Sequence, residues 1–272
     1  MMTSEQRYFF DTTGYLHLPS ALDSTELAAA QAAVQRYIDT PPEELPPGFA
    51  AHGGGYAHSF AFDKALEALT LHPSTWPIVK ELTAEKPRFV SGSLRVNTWD
   101  DFGFGPLHCS REEFGPQTPR YHVTDGRIYC DYVVCFFYLT DVHPGDGGLV
   151  VVPGSHKSEF ARPPDFYQPN DEGAEPEPHS AVLNLTPKAG DVVVISELLT
   201  HGNKIWQPQD RDRRFIIMRY VPQFIGVTDG NVAFPFPDEI LERLSPETRE
   251  LTEFAPWGRV KDIVNRDVVT LS

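Results

Sequence analysis

The chain has 272 residues, enough to bury a full core, and its 40% hydrophobic and 12% aromatic content excludes a disordered protein. With 38 acidic against 23 basic residues the net charge is −15, which argues against a nucleic-acid or anionic-membrane surface while leaving room for a small anion held by a few buried arginines. Three cysteines (Cys109, Cys130 and Cys135) are too few and too clustered for a disulfide framework, so a reducing, cytoplasmic compartment is expected, with no secretory signal and no membrane span.

In chain order, DTTGYLHLPSAL predicts a short extended segment with a turn. DSTELAAAQAAVQRYI predicts a helix starting at Asp23 or Ser24, with Glu26 in its first turn and Leu27, Ala30, Val34 and Ile38 near one face. Residues 41–60 read as a Pro/Gly-rich loop, and FDKALEALTL and PSTWPIVKELTA as two short helices, the second with Pro73 in its first turn. From Arg88 the texture changes to strands: RFVSGSLRVNTW, RIYCDYVVCFFYLTDV, GLVVVPGSHK, AVLNLTP, GDVVVISE and RRFIIMRYVP. Strands at this spacing with no helices between them indicate a sandwich or barrel. An acidic, Pro-rich insert at 161–180 has the character of a lid or loop, and DEILERL and PETRELTEF close the chain as short helices. No repeat or linker divides the sequence. One domain over 1–272 is expected, with a helical part over about 1–86, a barrel over about 87–225 and closing helices over about 236–272.

Four segments carry the chemistry together: LHCS (107–110), DVHPGDGGLVVVPGSHK (141–157), LLTHGN (198–203) and RRFIIMRY (213–220). Singly, each has an ordinary explanation. His108 sits among loop residues, His201 ends an apolar strand, His156 closes a turn, and Arg213 with Arg214 resembles a strand edge. Their order changes this reading. Two imidazoles on neighbouring strands can hold a divalent metal through neutral ring nitrogens and leave positions open. An arginine about a dozen residues after the second histidine can offer its planar fork to a ligand carboxylate. Two histidines, a nearby carboxylate and a distal arginine compose the facial-triad site of non-haem iron oxygenases that use 2-oxo acids.

On FFDTTGYLHLPSALDSTEL, GDGGLVVVPGSHK, AGDVVVISELLTHGN and RRFIIMRYVP, the chain resembles the phytanoyl-CoA dioxygenase family of Fe(II)/2-oxoglutarate oxygenases over nearly its whole length. The resemblance implies a mainly β fold, a double-stranded β-helix (jelly-roll, cupin-like barrel) with flanking N- and C-terminal helices. It implies Fe(II), 2-oxoglutarate and O2 as the means of oxidising an unactivated C–H bond of a small molecule. His108 matches the proximal metal histidine and His201 the distal one. Arg213 matches the arginine that binds the distal carboxylate of 2-oxoglutarate, with Arg214 the alternative, since only one of two strand neighbours points inward. Asn203 falls where the family has a small hydroxyl residue near the co-substrate; Phe137 and Arg95 are expected in the same pocket, with Asn97 beside Arg95.

The family motif His-x-Asp is here His108-Cys109-Ser110. A neutral hydroxyl is a far poorer ligand than a carboxylate for a hard dication. Three arrangements are open. An exogenous anion such as chloride takes the vacant place, as in family relatives that halogenate and carry Ala or Gly there. Alternatively another carboxylate substitutes: Glu112, Glu113 or Asp131, the last sharing strand parity with Cys135 and Phe137. Or the iron site is lost and the chain is a non-catalytic jelly-roll binding or partner protein. Cys109, adjacent to His108, is read as a structural thiol. Arg127 and Tyr121 are candidate substrate contacts, and Trp206 a candidate pocket wall. The acidic stretch at 165–177 argues against a polyanionic substrate, and no basic patch for CoA is visible. The oligomeric state is left open.

Overall fold

The computed structural model describes residues 1–100, 105–114, 119–167, 177–225 and 236–272. Helix α1 (Ser4–Thr13), which the patterning above does not predict, is held by a reciprocal cap between Thr3 and Gln6 and ends on Gly14 at φ 84°. Strand β1 (Tyr15–Leu18) follows. Helix α2 (Ser24–Asp39) begins as expected, the Asp23 carboxylate accepting from the Thr25 and Glu26 N–H groups while the Glu26 side chain returns to the Asp23 N–H. The loop at 41–60 contains a small hairpin of β2 (Ala51–His52) and β3 (Gly55–Tyr56). Helices α3 (Lys64–Glu67) and α4 (Trp76–Leu82) come next; Pro77, not Pro73, occupies the first turn of α4.

The strand-rich part comprises β4 (Pro87–Asn97), β5 (Gly105–His108), a short helix α5 (Ser110–Phe114), β6 (Tyr121–Thr124), β7 (Arg127–Cys130), β8 (Val133–Tyr138), β9 (Gly148–Val151), β10 (Leu183–Asn184), β11 (Val192–Ser196), β12 (His201–Lys204) and β13 (Arg213–Pro222). Helices α6 (Asp238–Leu241) and α7 (Pro246–Thr252) close it. Two strand boundaries differ from expectation. RIYCDYVVCFFYLTDV is not one strand: β7 pairs only with β6, the Asp131 N–H turns to Arg120 O, and β8 starts afresh in another sheet. The apolar run before His201 also breaks, β11 stopping at Ser196 so that His201 opens β12.

The ladders are antiparallel. Seven strands form one sheet in the order β1-β11-β8-β13-β4-β3-β2, and four form a second in the order β10-β9-β12-β5. This is the double-stranded β-helix the sequence leads one to expect. Strand alternation gives the large sheet two faces. Cys135, Phe137, Val194, Ile216 and Met218 pack in one core with Ala30 and Val34 of α2 and Val79 and Leu82 of α4. Val134, Phe136, Tyr138, Phe215 and Ile217 form a second core with Leu149 and Val151 of the small sheet. Both faces of β8 are covered, so all six of its residues are buried. The space between the two sheets narrows into a cavity of about 420 Å³.

Candidate metal and co-substrate site

The register of β12 on β5 sets His201 directly opposite His108, with ring centroids 4.3 Å apart. Each ring is restrained in the same way. His108 Nδ1 lies 3.0 Å from Pro106 O, and His201 Nδ1 lies 2.7 Å from Leu199 O, in both cases the carbonyl two residues upstream. A carbonyl only accepts, so each Nδ1 carries the proton and donates, which leaves the Nε2 lone pair free. Burial lowers the His201 pKa, and the His108 charge adds to this, while Glu197 opposes it; the neutral ring, the form that ligates metal, is favoured.

Arg213 opens β13 with the strand parity of the cavity-lining Phe215, Ile217 and Arg219, but it is 1% exposed and lies behind the lining itself. Its Nη1 donates to Asn97 Oδ1 and Asn203 Oδ1, both at 3.0 Å, its Nη2 donates to the Tyr138 hydroxyl at 3.3 Å, and the guanidinium stacks over Phe215 at 4.1 Å. Its Nε has no partner, and among the described residues no carboxylate pairs with it. The neighbouring Arg214 points the other way, to Gln35 Oε1 at 2.6 Å and Asp212 Oδ2 at 3.0 Å. Gly148 makes room for Arg213. It lies at φ +82°, and a Cβ there would stand 3.1 Å from the arginine Nε.

Asn203, Asn97 and Arg95 line the cavity with the two histidines. Phe137 does not. It belongs to the helix-side core, edge-on to His72, and its neighbour Phe136 takes the inward position. Trp206 is 1% exposed and donates its indole N–H to Arg211 O within the core. Tyr121 bonds Asp11 and packs edge-on against His156, and Arg127 lines a separate cavity of about 630 Å³ beside Arg7 and Lys80. A third cavity, about 640 Å³, lies at Cys109, Phe160 and Arg162. Neither of the two contains the histidine pair.

Neither of the described substitute carboxylates, Asp131 and Glu112, reaches the pair. Among the described residues no group of three His, Cys, Asp or Glu side chains is placed to hold a metal. Asp131 is engaged by the Arg120 N–H at 3.0 Å and the Arg120 guanidinium at 3.5 Å, because the chain leaves β7 at that point and the parity argument does not extend across the break. Glu112 is held by Arg162, and the side chain of Glu113 lies outside the described residues. Ser110 is fully buried; its N–H donates to Glu197 O at 3.0 Å, and its hydroxyl has no partner. Burial raises the Cys109 thiol pKa, consistent with a structural thiol.

Two residues not singled out from the sequence stand out here. Glu197 is 7% exposed, its carboxylate has no hydrogen bond or ion pair among the described residues, and its charge acts on His201. Arg219 lines the cavity from β13. Their signal in the sequence is a charge embedded in an apolar run, VVVISELL and FIIMRYV.

Residues 10–204 match the family of phytanoyl-CoA dioxygenase (PhyH), well over half of the chain. The chain belongs to the phytanoyl-CoA dioxygenase family. Among curated proteins it is 30% identical over 142 residues to the dioxygenase cdmD of Talaromyces verruculosus, covering 51% of this chain but only 42% of that protein. It is 24% identical over 252 residues to the ectoine dioxygenase of Stutzerimonas stutzeri (strain A1501), covering 85% of this chain and 78% of that one. Among solved structures, HygX from Streptomyces hygroscopicus with nickel, 2-oxoglutarate and hygromycin B bound superposes with a TM-score of 0.67 at 26% identity, over 85% of this chain and 92% of that one. The family match and this likeness place the chain in the Fe(II)/2-oxoglutarate-dependent oxygenase superfamily. The family match ends before Arg213.

The residues present fit iron and 2-oxoglutarate. Two restrained imidazoles offer nitrogen lone pairs, and a buried arginine without an acid partner offers a seat for a carboxylate. Among the described residues they fit as a two-histidine site with neutral Ser110 in the motif's acidic position, not as a complete protein triad.

Proposed function

We propose that the protein oxidises an unactivated C–H bond of a small organic molecule in the cavity between its sheets. The carrying observation is the paired histidines, each tied through Nδ1 to a backbone carbonyl, on the same cavity as an arginine-bearing strand. His108 and His201 would hold Fe(II) through Nε2, and Arg213 would take the distal carboxylate of 2-oxoglutarate, its guanidinium oriented by Asn97, Asn203 and Tyr138. When bound, iron and co-substrate would supply the oxidising power together with O2, one oxygen atom going into succinate as 2-oxoglutarate loses CO2 and the other left for the substrate. Phe136, Leu149, Phe215 and Ile217 form apolar walls that orient the substrate and exclude water.

Ser110 supports a second outcome at the same site. A small neutral side chain leaves a ligand position to an exogenous anion, and chloride there would redirect hydroxylation to halogenation. Protein purified without oxygen and reconstituted with Fe(II) should bind close to one equivalent of iron, show a 2-oxoglutarate-dependent absorption band, and release succinate on exposure to O2. Iron far below one equivalent with no such band would defeat the enzyme reading and leave a non-catalytic jelly-roll protein. A band or succinate yield that changes when chloride is withheld supports halogenation; indifference to chloride supports hydroxylation.

A further inference from the structure

The interior face of β13 carries Arg213, Phe215, Ile217 and Arg219 in strict alternation, and the register sets Phe215 opposite Arg95 on β4. Arg95 and Arg219 therefore reach into the cavity from neighbouring strands, past the place where Arg213 is occupied by its two asparagines. Neither guanidinium has a hydrogen bond or ion pair among the described residues. Several other arginines, among them Arg7, Arg36, Arg162 and Arg214, lie against carboxylates, while Arg88 and Arg243 donate to backbone carbonyls; among the described residues Arg95 and Arg219 do neither. Among the described residues, this cavity holds two arginines and no acid along its lining.

We propose that Arg95 and Arg219 form an anion seat for the substrate, which carries a carboxylate, sulfonate or phosphate group. The proposal rests on the reading of the site given above. The two negative charges of 2-oxoglutarate are met by the metal and Arg213, so the Arg95 and Arg219 charges remain uncompensated, and Ser110 removes the one acidic group the motif would have added. Like charges held together in a partly desolvated space need a counter-charge. Burial and the Arg219 charge both lower the Arg95 pKa, as expected for two cations facing one space. The β2–β3 hairpin closes on this group: a Cβ on Gly55 would stand 2.6 Å from Arg95 Nη1, so glycine there lets the backbone approach the guanidinium. A cavity of about 420 Å³ suits a small molecule.

The test uses full-length protein loaded with Ni(II) and 2-oxoglutarate, titrated calorimetrically with benzoate, benzenesulfonate and phenylphosphonate, with neutral benzamide as control. At least one anionic probe should bind in the millimolar range or tighter and benzamide at least tenfold more weakly. Arg95→Gln and Arg219→Gln should each weaken the anionic probe about tenfold, Arg219→Lys should restore part of the loss, and melting curves verify folding. The affinity for 2-oxoglutarate, measured first on each variant, should stay within threefold of the parent. Probes that bind the variants as well as the parent overturn the proposal. So does a loss of 2-oxoglutarate binding in Arg95→Gln and Arg219→Gln as large as in Arg213→Gln, which would make them co-substrate residues. Failure of the parent to bind 2-oxoglutarate, with arginine-dependent probe binding intact, would instead defeat the oxygenase reading and spare the anion seat.

Discussion

Replacing Arg213 with methionine separates a binding role from a structural one, because the two predict opposite outcomes. The guanidinium is 1% exposed, has no carboxylate partner among the described residues, and makes three hydrogen bonds to neutral acceptors. Losing those bonds costs about 1 kcal/mol each, roughly 3 kcal/mol together. Removing an unpaired buried charge returns several kcal/mol, and methionine fills much of the same volume. The two nearly cancel, so the melting temperature of the ligand-free variant should lie within about 5 °C of the parent, at about 2–4 °C per kcal/mol. Binding has no such compensation. A bidentate, charge-assisted pair with the co-substrate carboxylate is worth about 3 kcal/mol or more, so affinity for 2-oxoglutarate should fall about a hundredfold. Calorimetric titration of Mn(II)-loaded protein and a melting curve read both quantities, with the outward-facing Arg214→Gln as a control that changes neither. Binding within threefold of the parent would refute the assignment, and a melting temperature lowered by well over 10 °C would make Arg213 a structural residue.

Gly148→Ala places a Cβ 3.1 Å from Arg213 Nε at φ +82°, so it should cost about 1–2 kcal/mol of stability and weaken 2-oxoglutarate several-fold, both read by the same assays. Ser110→Asp puts a charge at a fully buried position; it should lower the melting temperature of metal-free protein by several degrees and increase the upward shift caused by Mn(II), and an unchanged metal-induced shift would place residue 110 away from the metal. His156 is fully buried with both ring nitrogens unpartnered, and burial depresses its pKa from 6.5 to about 4. The unfolded chain then takes up the proton first, so stability is full above pH 6.5 and falls by up to about 3 kcal/mol as pH drops to 4; His156→Phe should flatten that part of a denaturation-versus-pH curve. Burial likewise lowers Lys261 from 10.5 to about 7, the neighbouring Arg88 adding to it, so its folded form favours neutrality and stability rises with pH between about 7 and 10.5. Lys261→Met should remove that rise and raise the melting temperature at pH 7.

The sequence carries the fold and the histidine pair, because both rest on patterns that survive in one dimension: short β-rich segments between turns, and His108, His201 and Arg213 in a fixed order. What it conceals has physical causes. The run VVCFFY is apolar at every position because β8 is covered on both sides, so hydrophobicity cannot say which residues face inward, and Phe137 is placed in the pocket where Phe136 belongs. The same ambiguity hides the break at Asp131, where the chain passes from one sheet to another. Arg213 and Arg214 are chemically identical, and only the register with Asn97 and the position of Gln35 on α2 distinguish them. Helix α1 had a legible signal in the Thr3–Gln6 capping box and Gly14, masked by the polar character of the segment. Glu197 and Arg219 were out of reach: a charge inside a strand-like run acquires meaning only when its neighbours across the sheet are known.

The small sheet has a further consequence. Its edge strand β5, which supplies His108, is four residues long and pairs on one side only, with β12, where Gly202 lets the Gly105 carbonyl come close enough that a Cβ would stand 2.6 Å away. The apolar mass that stabilises the protein lies in the seven-stranded sheet and the helices behind it. His108 thus stands on a short sheet edge, while Arg95, Asn97 and Arg213 stand on the larger sheet that carries the main core. A local change along that edge would therefore reach His108 before it reached the main core.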